Sequence, residues 1–179
     1  LGDQTRPDLF ALEVRRPAPL YDRVLTAHER MTHNGAVLAP LHNLQDLRGA
    51  LLQAYGIGFR ACAIACVHST RNHAHELELA DLARDCGFTT VIPSHEVSQL
   101  PKYVPRGQTA VADAYLTPVL HRYINRVERG LPGVTLFFMQ SHGGLARSDS
   151  FYGRDAILSG PAGGVVGTAH AGAVAGKTH

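Results

Sequence analysis

The stretch ACAIACVHSTRNHAHELELADLARDCGFTTVIPS, residues Ala61–Ser94, indicates the fold class of this chain. It begins with a short apolar run at 61–68 and ends with a second at 88–94. Between them, leucines and alanines recur at helical spacing until Gly87. Two buried strands joined through a helix of this length are typical of a βαβ unit with parallel strands and a right-handed crossover. We therefore predict an α/β fold.

Further elements are expected on both sides of this unit. The sequence predicts strands in 24–31 and 133–141 and helices in 43–56, 109–129 and 160–175. Strand 133–141 is so apolar that we expect both of its faces to be covered. Pro118 lies inside the longest predicted helix and should kink or interrupt it. The proline-punctuated loop 95–108 is the best candidate for a domain boundary.

Composition excludes several classes of protein. The 17 basic and 15 acidic residues give a net charge of +2, and no basic run exceeds Arg15-Arg16, so no nucleic-acid partner is predicted. No apolar run approaches the ~18 residues of a membrane span, and the first residues do not form a signal peptide. We expect a cytoplasmic protein without a membrane partner. Its three cysteines, Cys62, Cys66 and Cys86, are interpreted as buried free thiols.

Two motifs that suggest ligands are interpreted otherwise. His73 and His75 are two residues apart and would diverge by about 200° on a helix, so HAHE predicts no metal site. Its favoured interpretation is a solvated first turn, with Glu76 stabilised by the helix dipole. AGAVAGKT, residues 171–178, fits a relaxed phosphate-loop pattern around Lys177. Because the preceding residues look helical instead of strand-like, we interpret this match as a coincidence.

A glycine pair follows the last apolar strand. In MQSHGGLA, residues 139–146, a buried strand would deliver Ser141 to Gly144 to the carboxyl edge of a sheet, where ligands bind in open α/β folds. The glycines would permit positive φ and close approach of the backbone. A tight turn from strand to helix explains the same residues, and both interpretations stay open.

The segment LSGPAGGVVGTAHAGAVAG, residues 158–176, places several glycines inside a predicted helix. Each costs about 1 kcal/mol relative to alanine, so the run needs a physical reason. Close packing of two helices is one, and a phosphate nest at Ser159-Gly160 is another. We favour close packing.

Three stretches carry a family resemblance: GDQTRPDLFALEVRRPAPLYDRV (2–24), KYVPRGQTAVADAYLTPVLHRYI (102–124) and FFMQSHGGLARSDSFYGRDAILSGPAGGVVG (137–167). They resemble the hydantoinase A/oxoprolinase family over essentially the whole chain, and most closely the ATP-hydrolysing 5-oxoprolinases. The broader family includes N-methylhydantoinases and acetone-carboxylase subunits. The SGPAGGVVG core is specific for the family as a whole.

The resemblance implies an actin-like ATPase fold, in which ATP with Mg²⁺ lies between two ribonuclease-H-like lobes. The implied activity is that of an ATP-dependent hydrolase that opens 5-oxoproline to glutamate. The alternatives are an N-methylhydantoinase or acetone-carboxylase-type subunit, and a non-catalytic α/β interaction module. A phosphate-loop NTPase that uses Lys177 is a further alternative. A hydantoinase B-like subunit or fused domain is the implied partner.

The resemblance also implies that the chain is an interior fragment. The family's two phosphate loops would lie before Leu1 and after His179, so the fragment alone should be inactive and most of the ATP and Mg²⁺ sites should lie outside it. Residues 1–108 would be the end of the family's N-terminal region, and 109–179 the start of its catalytic domain.

Residue roles follow from the same resemblance. The segment 159–176 matches a helix that packs where the two lobes cross. The residues expected in that interlobe helix are Ser159, Gly160, Gly163 and Gly164. The residues expected to line the substrate and nucleotide cleft are Ser141, His142, Gly143, Gly144, Arg106 and Asp113. No catalytic residue is assigned within the chain.

Three of these residues carry a qualification. Arg106 is predicted to contact an anion, because the fork geometry of its guanidinium suits a carboxylate or a phosphate. For Asp113, a position facing solvent is favoured over one in the cleft. His142 stands where oxoprolinases usually carry Asp and hydantoinases Asn, and an imidazole brings no fixed negative charge, which leaves the exact substrate open.

Overall fold

The computed structural model describes residue 8 and residues 10–14 and 18–176. By its internal contacts the chain divides into two compact units, Leu1–Ala114 and Tyr115–His179. The elements in chain order are β1 (Arg30–Met31), β2 (Val37–Ala39), α1 (Leu44–Gly56), β3 (Ala61–Ile64), α2 (Ala74–Asp85), β4 (Thr90–Pro93), α3 (Ser94–Val97), α4 (Tyr103–Gly130), β5 (Phe137–Met139), β6 (Leu145–Arg147), a 3-10 helix (Ser148–Ser150), α5 (Gly153–Ala156) and α6 (Ser159–Val174).

The first unit contains the predicted βαβ arrangement. Strands β3 and β4 pair in parallel, with Ala61 opposite Thr90 and Ile64 opposite Pro93, and α2 connects them. The core lies where α1, α2 and this pair meet, because α1 and α2 each direct an apolar stripe towards the strands. It consists of Leu41, Leu47, Leu51, Ala54, Ile64, Cys66, Leu79, Ala80, Leu82, Ala83, Cys86 and Phe88. The prediction of a parallel α/β unit is confirmed.

The turn between α2 and β4 depends on Gly87. Its φ is +98°, in the left-handed region that only glycine adopts without strain. A Cβ at this position would lie 2.8 Å from Cε2 of Tyr55. Gly87 therefore fixes both the direction of the turn and the close packing of α1 against it.

The first predicted strand is shorter than expected. Within 24–31 only Arg30–Met31 forms a strand, paired antiparallel with β2 around a turn at Gly35. Val24 and Leu25 are exposed, and no ladder partner lies beside them among the described residues. The apolar composition of this segment therefore does not make it a strand.

The second unit differs from the prediction at its strand. Residues 137–139 form β5, which pairs with β6 in an antiparallel hairpin, and Phe137 is 57% exposed. The expectation of a strand covered on both faces is wrong for the described residues, because the side chain of Phe137 is left exposed. One face of β5 is packed, because Phe138 stacks on Phe151 at 5.3 Å between ring centroids.

The two long helices follow their predictions more closely. Helix α4 begins at Tyr103, earlier than expected, and continues past Pro118 without interruption. Helix α6 covers nearly the whole of the predicted 160–175. No helix in the part of the chain that the structure describes is long and apolar enough to cross a membrane.

Candidate functional site

A buried carboxylate organises the polar part of the first unit. Glu76, in the first turn of α2, is 0% exposed. Its Oε1 accepts hydrogen bonds from the backbone N–H of Cys66 at 2.8 Å and from the hydroxyl of Ser94 at 2.5 Å. Its Oε2 accepts from the backbone N–H of His95 at 3.0 Å and lies 2.7 Å from the Nδ1 of the same residue. Four donor groups therefore surround one carboxylate.

Arg106 completes this arrangement from the first turns of α4 and is also 0% exposed. Its Nε donates to Oγ of Ser94 at 2.8 Å, and Nη2 donates to the carbonyl oxygen of Cys66 at 2.6 Å. Its Nη1 donates to the carbonyl oxygen of Leu100 at 2.9 Å. The hydroxyl of Ser94 thus bridges the guanidinium and the carboxylate of Glu76. We call Glu76, Ser94, His95 and Arg106 the edge network.

The position of the edge network follows from the topology. Cys66 comes two residues after β3, and Ser94 directly follows β4. Because β3 and β4 are parallel, their carboxyl ends lie at the same edge of the sheet. This is the edge at which open α/β folds bind ligands.

The hydrogen bonds decide the charge of Glu76. Burial alone would raise the pKa of this carboxyl group, but the bonds from Ser94, His95 and Cys66 outweigh it, and the net result is a pKa below the ordinary value. The carboxylate is therefore ionised at neutral pH. Burial, with a smaller contribution from Glu76, raises the pKa of the Cys66 thiol to about 12, so that thiol is protonated.

Two further histidines lie beside α2. The ring of His73 stacks on the ring of His95 at 4.6 Å between centroids and 14° between planes. Nδ1 of His75 lies 2.8 Å from Oε2 of Glu29, and both side chains are largely buried. The interpretation of HAHE as a solvated first turn is wrong, because His75 and Glu76 are packed inside the unit.

Among the described residues, no group of three or more His, Cys, Asp or Glu side chains is arranged to hold a metal ion. The Mg²⁺ site, expected largely outside this chain, stays a prediction.

Sequence reasoning did not single out Ser94 and His95. A signal was present, since Ser94 is the last residue of the second predicted parallel strand and His95 directly follows it. The loop that follows β3 carries two further unusual residues. His68 has φ of +64°, and Oγ of Ser69 is buried without a hydrogen-bond partner among the described residues.

The second unit places the predicted glycine pair in a hairpin. The backbone N–H of Gln140 donates to the carbonyl oxygen of Gly144 at 2.8 Å, and Gly143 has φ of +86°. Residues 141–144 therefore connect two antiparallel strands. The interpretation as a strand-to-helix turn is wrong, because a second strand follows, and a ligand position at the carboxyl end of β5 stays a prediction.

Ser141 and His142 occupy different surroundings within that hairpin. The Ser141 hydroxyl donates to the carbonyl oxygen of Asp155 at 2.7 Å and accepts from the N–H of Leu158 at 3.0 Å. It thus holds the hairpin to the start of α6. His142 is exposed, and its Nδ1 accepts from the N–H of Gly144 at 3.3 Å. Whether these residues line a cleft stays a prediction.

Helix α6 has no buried residue. A Cβ at Gly160 or Gly164 would meet nothing within 4 Å, and one at Gly163 would meet only Cγ of Met139, at 3.6 Å. Ser159 donates its hydroxyl to the carbonyl oxygen of Ala156 at 2.9 Å. The glycines of α6 are thus open in this chain, and their predicted interlobe packing stays a prediction.

The remaining predicted residues have mixed outcomes. Asp113 is fully buried, so the favoured interpretation of a solvent-facing residue is wrong. Arg106 donates hydrogen bonds to the Ser94 hydroxyl and to backbone carbonyl oxygens, and its role as an anion contact stays a prediction. Lys177 lies outside the described residues.

Solved structures share this fold. The chain aligns with nucleotide-free acetone carboxylase at a TM-score of 0.75 and 23% identity, covering 91% of this chain and 24% of that one. It aligns with the ATP-dependent caprolactamase of Pseudomonas jessenii at a TM-score of 0.67 and 26% identity, covering 84% of this chain and 25% of that one. The prediction of an α/β chain with part of the actin-like fold is confirmed.

Two family models match the chain. The hydantoinase/oxoprolinase model matches residues 106–179, and the model of the hydantoinase/oxoprolinase N-terminal region matches residues 1–87. The chain belongs to the hydantoinase/oxoprolinase family. The predicted boundary between 108 and 109 stays a prediction.

Named relatives point to the same family. The chain is 37% identical to the 5-oxoprolinase of Saccharomyces cerevisiae, over 93% of this chain and 15% of that protein. It is 34% identical to the 5-oxoprolinase of Dictyostelium discoideum, over the same shares. The acetophenone carboxylase gamma subunit of Aromatoleum aromaticum is 31% identical, over 87% of this chain and 23% of that subunit. The chain thus spans about one seventh of the length of the first two relatives.

Proposed function

We propose that this chain is part of an ATP-dependent cyclic amidase that opens 5-oxoproline to glutamate. The observation that carries the proposal is the identity of 34–37% to 5-oxoprolinases over 93% of the chain. A second observation supports the reaction class, since the caprolactamase that shares the fold is ATP-dependent and its name denotes a cyclic amide.

The proposed contribution of the chain is structural support and part of the ligand surface. The edge network, including the buried Arg106, would hold the carboxyl edge of β3 and β4 in one geometry, and the buried Asp113 would support the same unit. Ser141, His142, Gly143 and Gly144 would supply a hairpin at the substrate, and the exposed glycines of α6 would pack against another part of the full-length protein. ATP and Mg²⁺ would be bound largely by residues outside this chain, which would be inactive alone.

A carboxylase-type or hydantoinase-type subunit is the second candidate. The 31% identity to an acetophenone carboxylase gamma subunit favours it, and so does His142, which brings no fixed negative charge to the hairpin. On this proposal a hydantoinase B-like subunit or fused domain would complete the enzyme. We propose a cytoplasmic location for either form.

The test is ADP release by the full-length protein that contains this chain, supplied with Mg²⁺ and any partner subunit. The substrates are 5-oxoproline, hydantoin, N-methylhydantoin and acetone with bicarbonate, each against a reaction without substrate. We expect 5-oxoproline to stimulate ADP release with one glutamate formed for each ADP. Stimulation by a hydantoin, or by acetone with bicarbonate, but not by 5-oxoproline, would support the second candidate. Absence of all stimulation in a folded sample would overturn both and favour a non-catalytic module.

A further inference from the structure

We propose that His95 is a catalytic residue of this amidase and that Glu76 is its positioning residue. In this role His95 Nε2 would contact the ring nitrogen of the cyclic amide and exchange a proton with the reacting groups. The inference rests on the proposed function and deepens it, because it assigns an acid–base group to a chain in which the family resemblance assigned none.

The imidazole of His95 is held in one orientation by Glu76. Oε2 of Glu76 lies 2.7 Å from Nδ1 of His95 and also accepts the backbone N–H of His95 at 3.0 Å. An ionised carboxylate keeps the proton of a neutral imidazole on Nδ1, which leaves Nε2 with its lone pair. The same division of labour makes a histidine a base in carboxylate–histidine catalytic pairs.

The carboxylate of Glu76 is held rigidly by its other hydrogen bonds. Oε1 of Glu76 is occupied by the N–H of Cys66 and the hydroxyl of Ser94, and Arg106 holds that hydroxyl from the other side. The carboxylate therefore cannot turn away from His95 without losing several buried hydrogen bonds, each of which is costly to break. Catalytic groups need support of this kind.

The imidazole of His95 is the part of the pair that is accessible from the surface. The side chain of His95 is 14% exposed, whereas that of Glu76 is 0% exposed, so the pair lies at the surface only through its imidazole. His73 covers one face of the ring. No hydrogen bond to Nε2 of His95 occurs within the described ranges.

Two unusual residues lie near the same sheet edge, independently of the pair. The loop that begins there after β3 contains Ser69, whose buried hydroxyl has no partner among the residues described, next to His68 in a left-handed conformation. Buried hydroxyl groups are normally hydrogen-bonded, and strained backbone is concentrated at functional sites. Both features lie on the segment that follows β3, while His95 follows β4.

In the proposed step, ATP would transfer its terminal phosphoryl group to the amide oxygen and leave as ADP. Nε2 would take a proton from water as the water oxygen forms a bond to the amide carbon. It would return that proton to the ring nitrogen as the carbon–nitrogen bond breaks with its electron pair on nitrogen. The new hydroxyl group would lose its proton to solvent, which gives an acyl phosphate, and a second water would hydrolyse this to the carboxylate and inorganic phosphate. The products are an open-chain amine, a carboxylate, ADP and phosphate, and the imidazole is neutral again.

The test compares His95→Asn with His75→Asn in the full-length enzyme with its partner subunit. An asparagine at 95 retains an N–H donor for Glu76 and removes Nε2, together with the ring that stacks on His73. His75 is the matched control, because it forms the other carboxylate–histidine pair of the unit, with Glu29 at 2.8 Å. General acid–base catalysis contributes about 100-fold or more, so we expect His95→Asn to lower kcat by about 100-fold with KM changed less than about 3-fold. His75→Asn should leave kcat unchanged.

Further readouts separate catalysis from folding. The kcat–pH profile should change in His95→Asn and in Glu76→Gln relative to the unmodified enzyme. Both variants should still bind ATP, and His95→Asn should unfold at a temperature close to that of the unmodified enzyme. If His95→Asn is poorly folded, the unmodified enzyme is instead treated with diethyl pyrocarbonate in the presence and absence of 5-oxoproline. Mass spectrometry then measures whether 5-oxoproline protects His95 from modification.

The outcomes are distinguishable. An unmodified enzyme that turns over 5-oxoproline together with a His95→Asn variant of unchanged kcat and pH profile would overturn the role of His95 and leave the proposed function intact. Modification of His95 at the same rate with and without 5-oxoproline would also overturn the role of His95 and leave the proposed function intact. An unmodified enzyme that turns over no cyclic amide would overturn the proposed function, and the role of His95 with it.

Discussion

Arg106 donates a hydrogen bond to the carbonyl oxygen of Cys66 at 2.6 Å, and this bond joins residues 40 positions apart in the sequence. The acceptor lies just beyond β3 and the donor in the first turns of α4. The guanidinium is fully buried, so the first turns of α4 are fixed to the sheet edge by a charge that water does not reach. Several consequences of such burial can be measured.

The first prediction is that Arg106→Met destabilises the protein. The substitution removes this donor from the carbonyl oxygen of Cys66. It also removes the positive charge that is linked to Glu76 through the hydroxyl of Ser94. Removing one member of a buried charge pair costs about 3–5 kcal/mol, which we expect as the loss in free energy of unfolding in a urea titration. The control is Arg126→Met on the exposed part of α4, expected to change it by less than about 0.5 kcal/mol. Equal effects of the two substitutions would contradict the prediction.

The second prediction concerns two glycines with opposite expected effects. Gly87→Ala should lower the free energy of unfolding by about 2 kcal/mol or more, because alanine is strained at a φ of +98° and its Cβ would collide with Tyr55. Gly49→Ala, inside α1 with nothing within 4 Å of the new Cβ, should raise it by about 0.5–1 kcal/mol. Thermal unfolding of the two variants checks the signs. A stabilising Gly87→Ala would show that the turn has another conformation.

The third prediction is that two cysteines react slowly in the folded protein. Burial raises the pKa of the Cys62 thiol to about 11 and that of Cys66 to about 12. Since the thiolate is the reacting form, alkylation by iodoacetamide near pH 8 should be far slower in the folded protein than in urea. Mass spectrometry of each cysteine over time measures this. Fast labelling of Cys66 before unfolding would contradict its burial.

The fourth prediction is a dependence of stability on acid. The pKa of Glu76 is lower in the folded protein than in the unfolded chain, where it is about 4.3. The stabilisation from this difference is therefore fully present above about pH 5 and is lost as pH falls through the folded-state pKa. In urea titrations, the stability advantage of the unmodified protein over Glu76→Gln should shrink over that range. An advantage that stays constant down to about pH 3 would show that Glu76 is not the titrating group.

The sequence predicts the apolar parts of this fold better than its polar parts. Leu47 and Leu51 on α1, and Leu79 and Leu82 on α2, recur at helical spacing because they face one core, so periodicity reveals the helices. Glu76 follows no such rule. A glutamate in a first helical turn is ordinarily solvated, and only the tertiary arrangement of β3, β4 and α4 brings four donors to it.

The hairpin of the second unit shows a different limit. The apolar run 137–139 is the same whether its neighbour is a parallel strand inside a sheet or an antiparallel strand in a hairpin. The partner is decided by the turn, and the positive φ of Gly143 permits the chain to reverse there. The glycine pair was recognised from the sequence, but two glycines alone do not distinguish a ligand loop from a hairpin turn.

The hydrogen bond between Arg106 and Cys66 also has a consequence for synthesis on the ribosome. The carbonyl of Cys66 emerges 40 residues before its guanidinium donor, which at about 5–20 residues per second is a delay of seconds. If α2 packed against β3 during that interval, the carboxylate of Glu76 would be buried before Arg106, the cation bridged to it through Ser94, had been synthesised. The amino-terminal end of α2 should therefore stay hydrated until α4 has left the exit tunnel. The first unit should then bury Glu76 and Arg106 together in one late folding step.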